Sequence, residues 1–437
     1  MIDICKSYVP DYVTISLQEI RPSLHYAVIT IAKDCVKTMY RIASEAQKRK
    51  HMTSGFHRGN IPVEYIEQYF TSTLTNHLKE LLFNYFVVHT LYKELQERKI
   101  PVAGEPRLID IKIEHDKDAR FIFELTLFSD LALTEWKYLP FKAPKRKQYK
   151  DLDRQVEMFC KEEKDAEKNM QNIIQIGDWL CLDIALVDHN GEPYFNDHAI
   201  PLWLKIGDEE ADRLFHTLFQ NVSIGSSFIT DNKGIQDYFS TQLETEYPFR
   251  ITVNDIVSNT MFDFELFKKH FKIKTNKDLS KKLIEVFSYR NNMSQRRSTA
   301  EEALYLMLTR HKFDVPNYLV LRQEKVLLDV IQHNPDYYVY RMQKDFKHYV
   351  KQLAEKQAKE MIILDHVAFH ENISATRDDI KSYLNLSNRP RTKEFIYFDM
   401  PHTKINAREM PVSEYVLKQI CAREKTINHI IYNLTKR

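Results

Sequence analysis

The chain has 437 residues, of which 43% are hydrophobic and 28% are charged, so it is a folded protein of about two to four domains rather than a disordered one. Its 63 cations and 61 anions give a net charge of +2, so any attraction to nucleic acid must come from local patches. Five widely spaced cysteines without a C-x-x-C pair argue against a disulfide framework and against a zinc site.

The sequence carries no membrane signal. The first residues lack the basic and then apolar pattern of a secretory signal, and no window reaches the ~18 apolar residues that a membrane span requires. We therefore expect a cytoplasmic protein that does not bind a membrane.

Glycine is restricted to one part of the chain. All eight glycines lie between Gly55 and Gly234. Because glycine marks tight turns, this distribution predicts turn-rich sheet structure in the middle of the chain and a mostly helical C-terminal part.

The N-terminal part predicts a small α+β unit. Segments rich in Val, Ile, Tyr and Thr indicate strands, and apolar residues at helical spacing indicate helices. The apolar stripe of the longest helix includes Tyr69. The predicted elements are strands at 12–19 and 24–31, a helix after Asp34, one long helix from Pro62 to near Ile100 and a hairpin over 109–127.

A loop between these two helices is predicted to form an exposed tip. Two glycines four residues apart flank an aromatic residue and a cation in the segment Gly55, Phe56, His57, Arg58 and Gly59, and three more cations precede it at 48–50. An aromatic residue among clustered cations indicates docking to an anionic surface. The alternative is an ordinary helix–helix turn with solvated charges.

These features resemble the ribosome-binding domain of trigger factor, the bacterial chaperone for nascent chains. The resemblance rests on the segment 55–62, on the long helix and on the Ala-Gly-Glu-Pro segment 103–106 before the hairpin, and it extends over nearly the whole chain. It implies that residues 55–59 bind the ribosome near the exit site. The family usually has Arg, Lys and Lys at the positions of His57, Arg58 and Asn60, so part of the usual charge is missing.

A basic stretch containing prolines follows this unit. Residues 136–150 include two prolines, and five cations lie among the nine residues 142–150, which is typical of an extended linker. An RNA contact is the alternative, although only two aromatic residues interleave with the charges and no RNA-binding motif accompanies them. A short helix with Leu152, Val156 and Phe159 on one face follows.

The middle of the chain, from Ile176 to Val257, predicts strands at 179–186, 202–206 and 250–253 around turns. It resembles the FKBP-like prolyl isomerase domain that trigger factors insert between their other two parts. In the register of that family, Asp183, Ile184 and Phe215 occupy isomerase positions.

An isomerase of this kind needs an apolar cup that removes water from the twisted amide. Here Glu209 stands at a family glycine, and Asp212, Arg213 and Leu214 stand at the family's Ile-Pro-Gly. Since buried charges are costly unless paired, we expect a cup that is filled or open to water, no confident catalytic residue, and weak or absent isomerase activity. The competing hypothesis is a pocket rebuilt from other aromatic residues, such as Trp203 and Phe219.

The C-terminal part predicts long charged helices, including one from Phe346 through Val367. The resemblance implies a chaperone body with two arms whose scattered apolar side chains contact unfolded segments. His366 and His370 share a helical face but lack a third ligand, so no metal is expected. A basic turn at 388–393 leads into a strand-like run, 394–398, for which we expect a loop packed on the body.

The sequence thus predicts a multidomain α+β protein with a ribosome-binding domain (1–131), a linker (132–170), a divergent FKBP-like β-rich domain (171–258) and a mostly α-helical chaperone domain (259–437). The predicted function is a trigger-factor-like chaperone that docks at the ribosome exit site and shields nascent or unfolded polypeptides. Alternatives are an active peptidyl-prolyl isomerase and an RNA-binding scaffold. No cofactor is expected, and the resemblance allows a homodimer of the free protein.

Overall fold

The computed structural model describes residues 12–21, 24–50, 54–57, 59–127, 131, 133, 135–144, 151–168, 173–195, 198–243, 246–290, 292–332, 334–401 and 403–436. The strands are β1 Val13–Arg21, β2 Leu24–Ile31, β3 Arg107–Lys112, β4 Ala119–Thr126, β5 Trp179–Leu186, β6 Ile200–Lys205, β7 Ser227–Thr230, β8 Phe249–Val257, β9 Tyr289–Arg290, β10 Met293–Ser294, β11 Lys404–Ile405, β12 Arg408–Glu409 and β13 Val412–Ser413. The α-helices are α1 Lys33–Lys50, α2 Val63–Tyr69, α3 Thr71–Leu82, α4 Val88–Glu97, α5 Leu152–Lys168, α6 Arg213–Phe219, α7 Lys233–Phe239, α8 Phe264–Phe271, α9 Asn276–Phe287, α10 Gln295–Arg310, α11 Asn317–Ile331, α12 Tyr337–Arg341, α13 Phe346–His370, α14 Arg377–Ser387 and α15 Glu414–Thr435.

The N-terminal unit is an antiparallel sheet in the order β1-β2-β4-β3 with helices α1 to α4 packed on it, which confirms the predicted α+β arrangement. The prediction of one uninterrupted helix is wrong. The chain leaves helical geometry at Phe70 and forms a π-helical turn at Phe83–Val87. That turn holds one more residue than an α-turn, and the consecutive side chains of Tyr85, Phe86 and Val87 are all buried.

A second sheet, called the middle sheet here, has the order β13-β6-β5-β8-β7 and is antiparallel throughout. The three predicted strands are confirmed, although β8 is longer than predicted. The edge strand β13 comes from the C-terminal part of the chain, where Val412 pairs with Trp203. The middle sheet is therefore completed by residues more than 150 positions downstream of β8.

Both faces of the middle sheet are covered. Leu180, Leu182 and Ile184 of β5 belong to one core with α6, α7 and the N-terminal helices. The alternate residues Trp179 and Cys181 belong to a second core with helices of the C-terminal part. Side chains of a strand alternate between faces, so β5 joins two cores that lie on opposite sides of the sheet.

Buried polar contacts tie the N-terminal helices to the middle sheet. The His77 ring nitrogens lie 2.9 Å from Ser240 Oγ and 2.6 Å from Tyr247 Oη. The Tyr85 hydroxyl accepts a hydrogen bond of 2.8 Å from the Leu186 amide. Because such groups are costly to bury without partners, these contacts fix one orientation of the two units.

Part of the predicted linker is packed rather than extended. Trp136 lies in a 3-10 turn and is buried among residues of α10, α13 and α15, while Lys137 pairs with Glu371 at 2.7 Å. Helix α5 packs against the C-terminal part, where Phe159 contacts Phe262 edge to face. The basic run at 145–150 lies outside the described residues.

The C-terminal part is mostly helical, as predicted. Its strand-like run is not a strand, because 392–395 form a 3-10 turn and the amides of Tyr397 and Phe398 donate to the buried Glu424 carboxylate instead of to a neighbouring strand. Phe395 and Ile396 are buried, so the segment packs on the body as expected. Within the described part of the chain, no helix is both long enough and apolar enough to cross a membrane.

Candidate functional site

The predicted tip loop joins α1 to α2. Gly55 and Gly59 have φ of +93° and +83°, and a Cβ added to either would meet no atom within 4 Å. Both glycines therefore serve the left-handed backbone of the loop rather than close packing. The Asn60 amide donates a 3.0 Å hydrogen bond to the His57 carbonyl and closes the turn.

Aromatic side chains form a row beside this loop. Phe56 is 37% exposed, and its ring centroid lies 5.1 Å from that of Tyr65, which stacks on Tyr69 at 4.4 Å. Tyr69 is 65% exposed, so its predicted place on the buried stripe is wrong. Because the helix breaks at Phe70, Tyr69 does not continue the buried face of α3. We call Phe56, Tyr65 and Tyr69 the tip row.

The charges around the tip are only partly described. Arg58 and the Lys50 side chain lie outside the described residues. Arg49 contacts the His189 ring in the turn that follows β5, so one of the predicted docking cations already contacts a turn of the middle sheet. His57 is exposed. The contact of Arg49 depends on the packing of two units, so local sequence offers no signal for it.

A second exposed site lies on a helical arm formed by α11, α12 and α13. Helix α11 runs along α13, and Gln323 donates to the Gln357 side chain at 2.7 Å. We call residues 337–353 the arm tip. Its apolar side chains are unusually open to solvent: Tyr338 is 74% exposed, Met342 86% and Tyr349 60%.

An aromatic contact joins the two helices of the arm tip. Tyr337 packs edge to face on Phe346, with ring centroids 6.3 Å apart, and this contact holds α12 against the start of α13. Residues 337–342 were not among the predicted site residues, and Phe346 was predicted only as the start of a helix. The run Tyr337-Tyr338-Val339-Tyr340 was the available signal, but periodicity alone does not distinguish an exposed aromatic run from a buried one.

The base of the arm rests on the N-terminal unit. Tyr318 and Thr126 share a hydrogen bond of 2.8 Å, and Arg322 pairs with Glu105. Gly104 has φ of +74°, and a Cβ there would lie 2.9 Å from the Leu319 side chain. The segment 103–106 therefore packs closely against the base of the arm, and Gly104 leaves room for the Leu319 side chain.

The three family isomerase positions do not converge. Asp183 is partly exposed and lies 4.0 Å from Arg377 of α14, whereas Ile184 and Phe215 are fully buried in the core on the opposite face. Phe215 packs against Gly234, where an added Cβ would lie 2.4 Å from the Phe215 ring. Ile184 and Phe215 are therefore core residues and do not line an open cup.

The charged replacements are accommodated without forming a cup. Asp212 is buried and accepts the Glu409 amide at 2.7 Å, while Glu209 caps the following 3-10 turn and pairs with Lys404 at 3.2 Å. Trp203 and Phe219, the aromatic residues of the competing hypothesis, belong to different cores on opposite faces of the middle sheet, so these two side chains do not line one pocket.

His366 and His370 lie with their ring centroids 4.3 Å apart. Burial, together with His370 and His311, lowers the pKa of His366 to about 4. Across the described ranges, no group of three His, Cys, Asp or Glu side chains is arranged to hold a metal ion.

The fold and its two exposed sites define a class of protein: a multidomain α+β protein that presents one docking loop and one apolar helical arm. Comparison with known proteins identifies the family. A family model of the bacterial trigger factor protein matches residues 13–159, and a model of the bacterial trigger factor C-terminus matches residues 275–395. Together they cover more than half of the chain.

Curated relatives match along most of their length. The trigger factor of Clostridium tetani is 21% identical over 84% of this chain and 88% of its own. The trigger factor of Rickettsia canadensis is 20% identical over 89% of this chain and 86% of its own length. The trigger factor of Syntrophotalea carbinolica is 20% identical over 90% of this chain and 92% of its own length. The chain belongs to the trigger factor family, and it is a chaperone that associates with the ribosome and with unfolded polypeptides.

A solved structure, described for promiscuous substrate recognition in folding and assembly by the trigger factor chaperone, is 11% identical and covers 96% of this chain and 100% of its own. Its TM-score is 0.38. With so low a score this likeness supports no argument about the placement of the domains.

Proposed function

We propose that this cytoplasmic chaperone docks near the ribosome exit site through Gly55, Phe56, His57, Arg58 and Gly59, and holds nascent or unfolded segments on its arm. The observation that carries this proposal is the exposure of aromatic side chains at two separate places, the tip row and the arm tip. Exposed apolar patches on an otherwise well-packed protein mark binding surfaces.

The two exposed places suit different partners. In the sequence, the docking loop follows a basic helix end. A ribosomal surface is rich in phosphate, so cations and an exposed aromatic side chain complement it. The arm tip presents tyrosine and methionine on a narrow helical support, which suits irregular apolar segments. In this proposal residues 1–131 dock, 132–170 link, 171–258 form the middle domain and 259–437 hold the client.

The middle domain serves as a structural part rather than as an effective isomerase. Its aromatic residues are buried in two cores, and its acidic replacements are satisfied by backbone and side-chain partners.

The same exposed side chains at the tip row and the arm tip are available for a homodimer when ribosomes are absent. Sedimentation at increasing protein concentration measures this state.

Ribosome docking is tested by the double substitution Phe56→Ala, Arg58→Ala. Co-sedimentation with ribosomes should be lost, and binding by the parent chain should weaken steeply as salt rises, because cations that pair with phosphates release counterions. The matched control is Tyr305→Ala, Arg310→Ala, which removes an exposed tyrosine and an exposed arginine from α10. Equal pelleting of the parent and the loop variant at low salt would show that docking lies elsewhere.

A further inference from the structure

The arm tip carries charge as well as apolar surface. Arg341, Lys344, Lys347 and Lys351 are all exposed there. Among the residues that the structure describes, none of these four cations has a carboxylate within 4.0 Å. Lys351 contributes to lowering the pKa of Glu355, but that carboxylate is already paired with Lys359 at 2.7 Å, and this pair is the main cause of the shift.

Two cations closer to the base of the arm do have carboxylate partners. Arg322 pairs with Glu105, and Lys356 lies 3.6 Å from Glu360. The arm tip itself holds only one carboxylate, Asp345, against four cations. Positive charge without partners is thus concentrated where the side chains of Tyr338 and Met342 are most exposed.

We infer that the arm tip selects apolar client segments that carry carboxylates and disfavours segments rich in lysine and arginine. This inference rests on the proposed function of the arm. A Glu or Asp beside an apolar client residue can pair with a tip cation while the apolar residue packs on tyrosine or methionine. A basic segment meets like charge in the same position, and like charges repel.

The side chains of the arm tip favour a polypeptide over a nucleic acid as the occupant. Single-stranded nucleic acid binds through flat aromatic platforms on which bases stack along a basic groove. The arm tip instead mixes tyrosines with Val339 and Met342, and methionine adapts to irregular aliphatic surfaces. An acidic, apolar polypeptide segment satisfies both the charge and the shape of this surface.

The expected size of the effect follows from exposed ion pairs, each of which changes a binding constant by a factor of about 1.4 to 5. Three such pairs give roughly a tenfold preference. Salt should reduce the preference, because exposed charges are screened over about 8 Å at physiological ionic strength. The apolar contribution to binding should persist in salt.

The test uses the full chain and three fluorescent peptides that share one apolar and aromatic sequence and carry three Glu, three Gln or three Lys. Anisotropy titrations should rank affinity as Glu above Gln above Lys. In the variant Lys344→Gln, Lys347→Gln, Lys351→Gln the three peptides should bind alike, at about the affinity of the Gln peptide. The control is Lys272→Gln, Lys274→Gln, Lys277→Gln, three exposed cations near α8 and α9, which should keep the ranking.

The outcomes separate the inference from the proposed function. If the Gln peptide binds but all three peptides bind equally to the parent chain, the charge preference is wrong and the arm remains a client surface. If no peptide binds, the proposed role of the arm fails. If a single-stranded RNA of similar length binds more tightly than the Glu peptide and loses binding in the arm variant, the cations serve nucleic acid and the inference is overturned.

Discussion

The middle sheet and the arm use similar side chains for opposite purposes. Phe215, Trp203 and Phe249 of the middle domain are fully buried, whereas Tyr338 and Met342 of the arm are among the most exposed apolar side chains described. The sheet has a core on each face, while the narrow arm has too few neighbours to cover its side chains. Aromatic content alone therefore does not locate a binding surface, and the packing of neighbouring elements does.

The contrast also separates stability from function. Burial of apolar surface stabilises the fold in proportion to the area removed from water, so the buried aromatic residues of the middle sheet hold the N-terminal and C-terminal parts together. Exposed side chains on the arm contribute little to folding and remain available for a client. Substitutions in the middle sheet should therefore lower stability, whereas substitutions on the arm should lower client binding and leave stability nearly unchanged.

Acid should produce the largest effect, and it should act on the packed region. Burial is the main factor that lowers the pKa of His77, His89 and His198 to about 4, and Lys93 near the last two lowers it further. In the unfolded chain these groups take up a proton near pH 6.5. Between about pH 6.5 and 4 the unfolded state binds more protons, so stability is complete above this window and falls as the pH decreases through it.

The three histidines together should cost on the order of 8 kcal/mol near pH 4.5. The measurement is the urea midpoint of the full chain at pH 7.0, 5.5 and 4.5. His77→Gln should reduce the difference between the midpoints at pH 7.0 and 4.5, whereas His348→Gln, at an exposed position on the arm, should leave it unchanged. A midpoint that is constant over this range would mean that the three side chains are not buried in the neutral form.

The second largest effect is expected for Phe215→Ala, which tests whether Phe215 is a core residue or a catalytic one. Phe215 is 0% exposed and touches Gly234. Phe215→Ala should therefore cost about 3–5 kcal/mol of unfolding free energy, as large buried side chains do when truncated. The measurement is the urea midpoint at pH 7.0, with exposed Leu214→Ala in the same helix as the matched control, for which we expect little change.

A peptide isomerisation assay completes this comparison. The parent chain at micromolar concentration should barely accelerate isomerisation of an X-Pro bond, because Phe215 is fully buried against Gly234. The opposite pattern, clear acceleration by the parent that Phe215→Ala removes while the urea midpoint stays constant, would identify Phe215 as part of a working isomerase site.

Much of this arrangement could be predicted from local sequence, and the remainder depends on distant packing. Strand β5 was predicted at its observed boundaries because a run of apolar, β-branched and aromatic residues ends at a turn. Strand β13 is two residues long and pairs with a strand about two hundred positions away, so local sequence offered no signal for it. The exposure of Tyr69 depends on the helix break at Phe70, and the burial of His77 depends on the middle domain.

The smallest effect on stability should accompany the clearest loss of chaperone function. Tyr338→Ala with Met342→Ala removes two side chains that are 74% and 86% exposed, so the unfolding free energy should change by less than about 0.5 kcal/mol. Light scattering by an unfolded client should nevertheless rise towards the level seen without chaperone, because the apolar contact area of the arm tip is gone. Tyr432→Ala, at an exposed tyrosine on α15, should protect the client as the parent does. Full protection by the arm variant at matched concentration would place client binding elsewhere, and it would remove the functional contrast between the arm and the middle sheet.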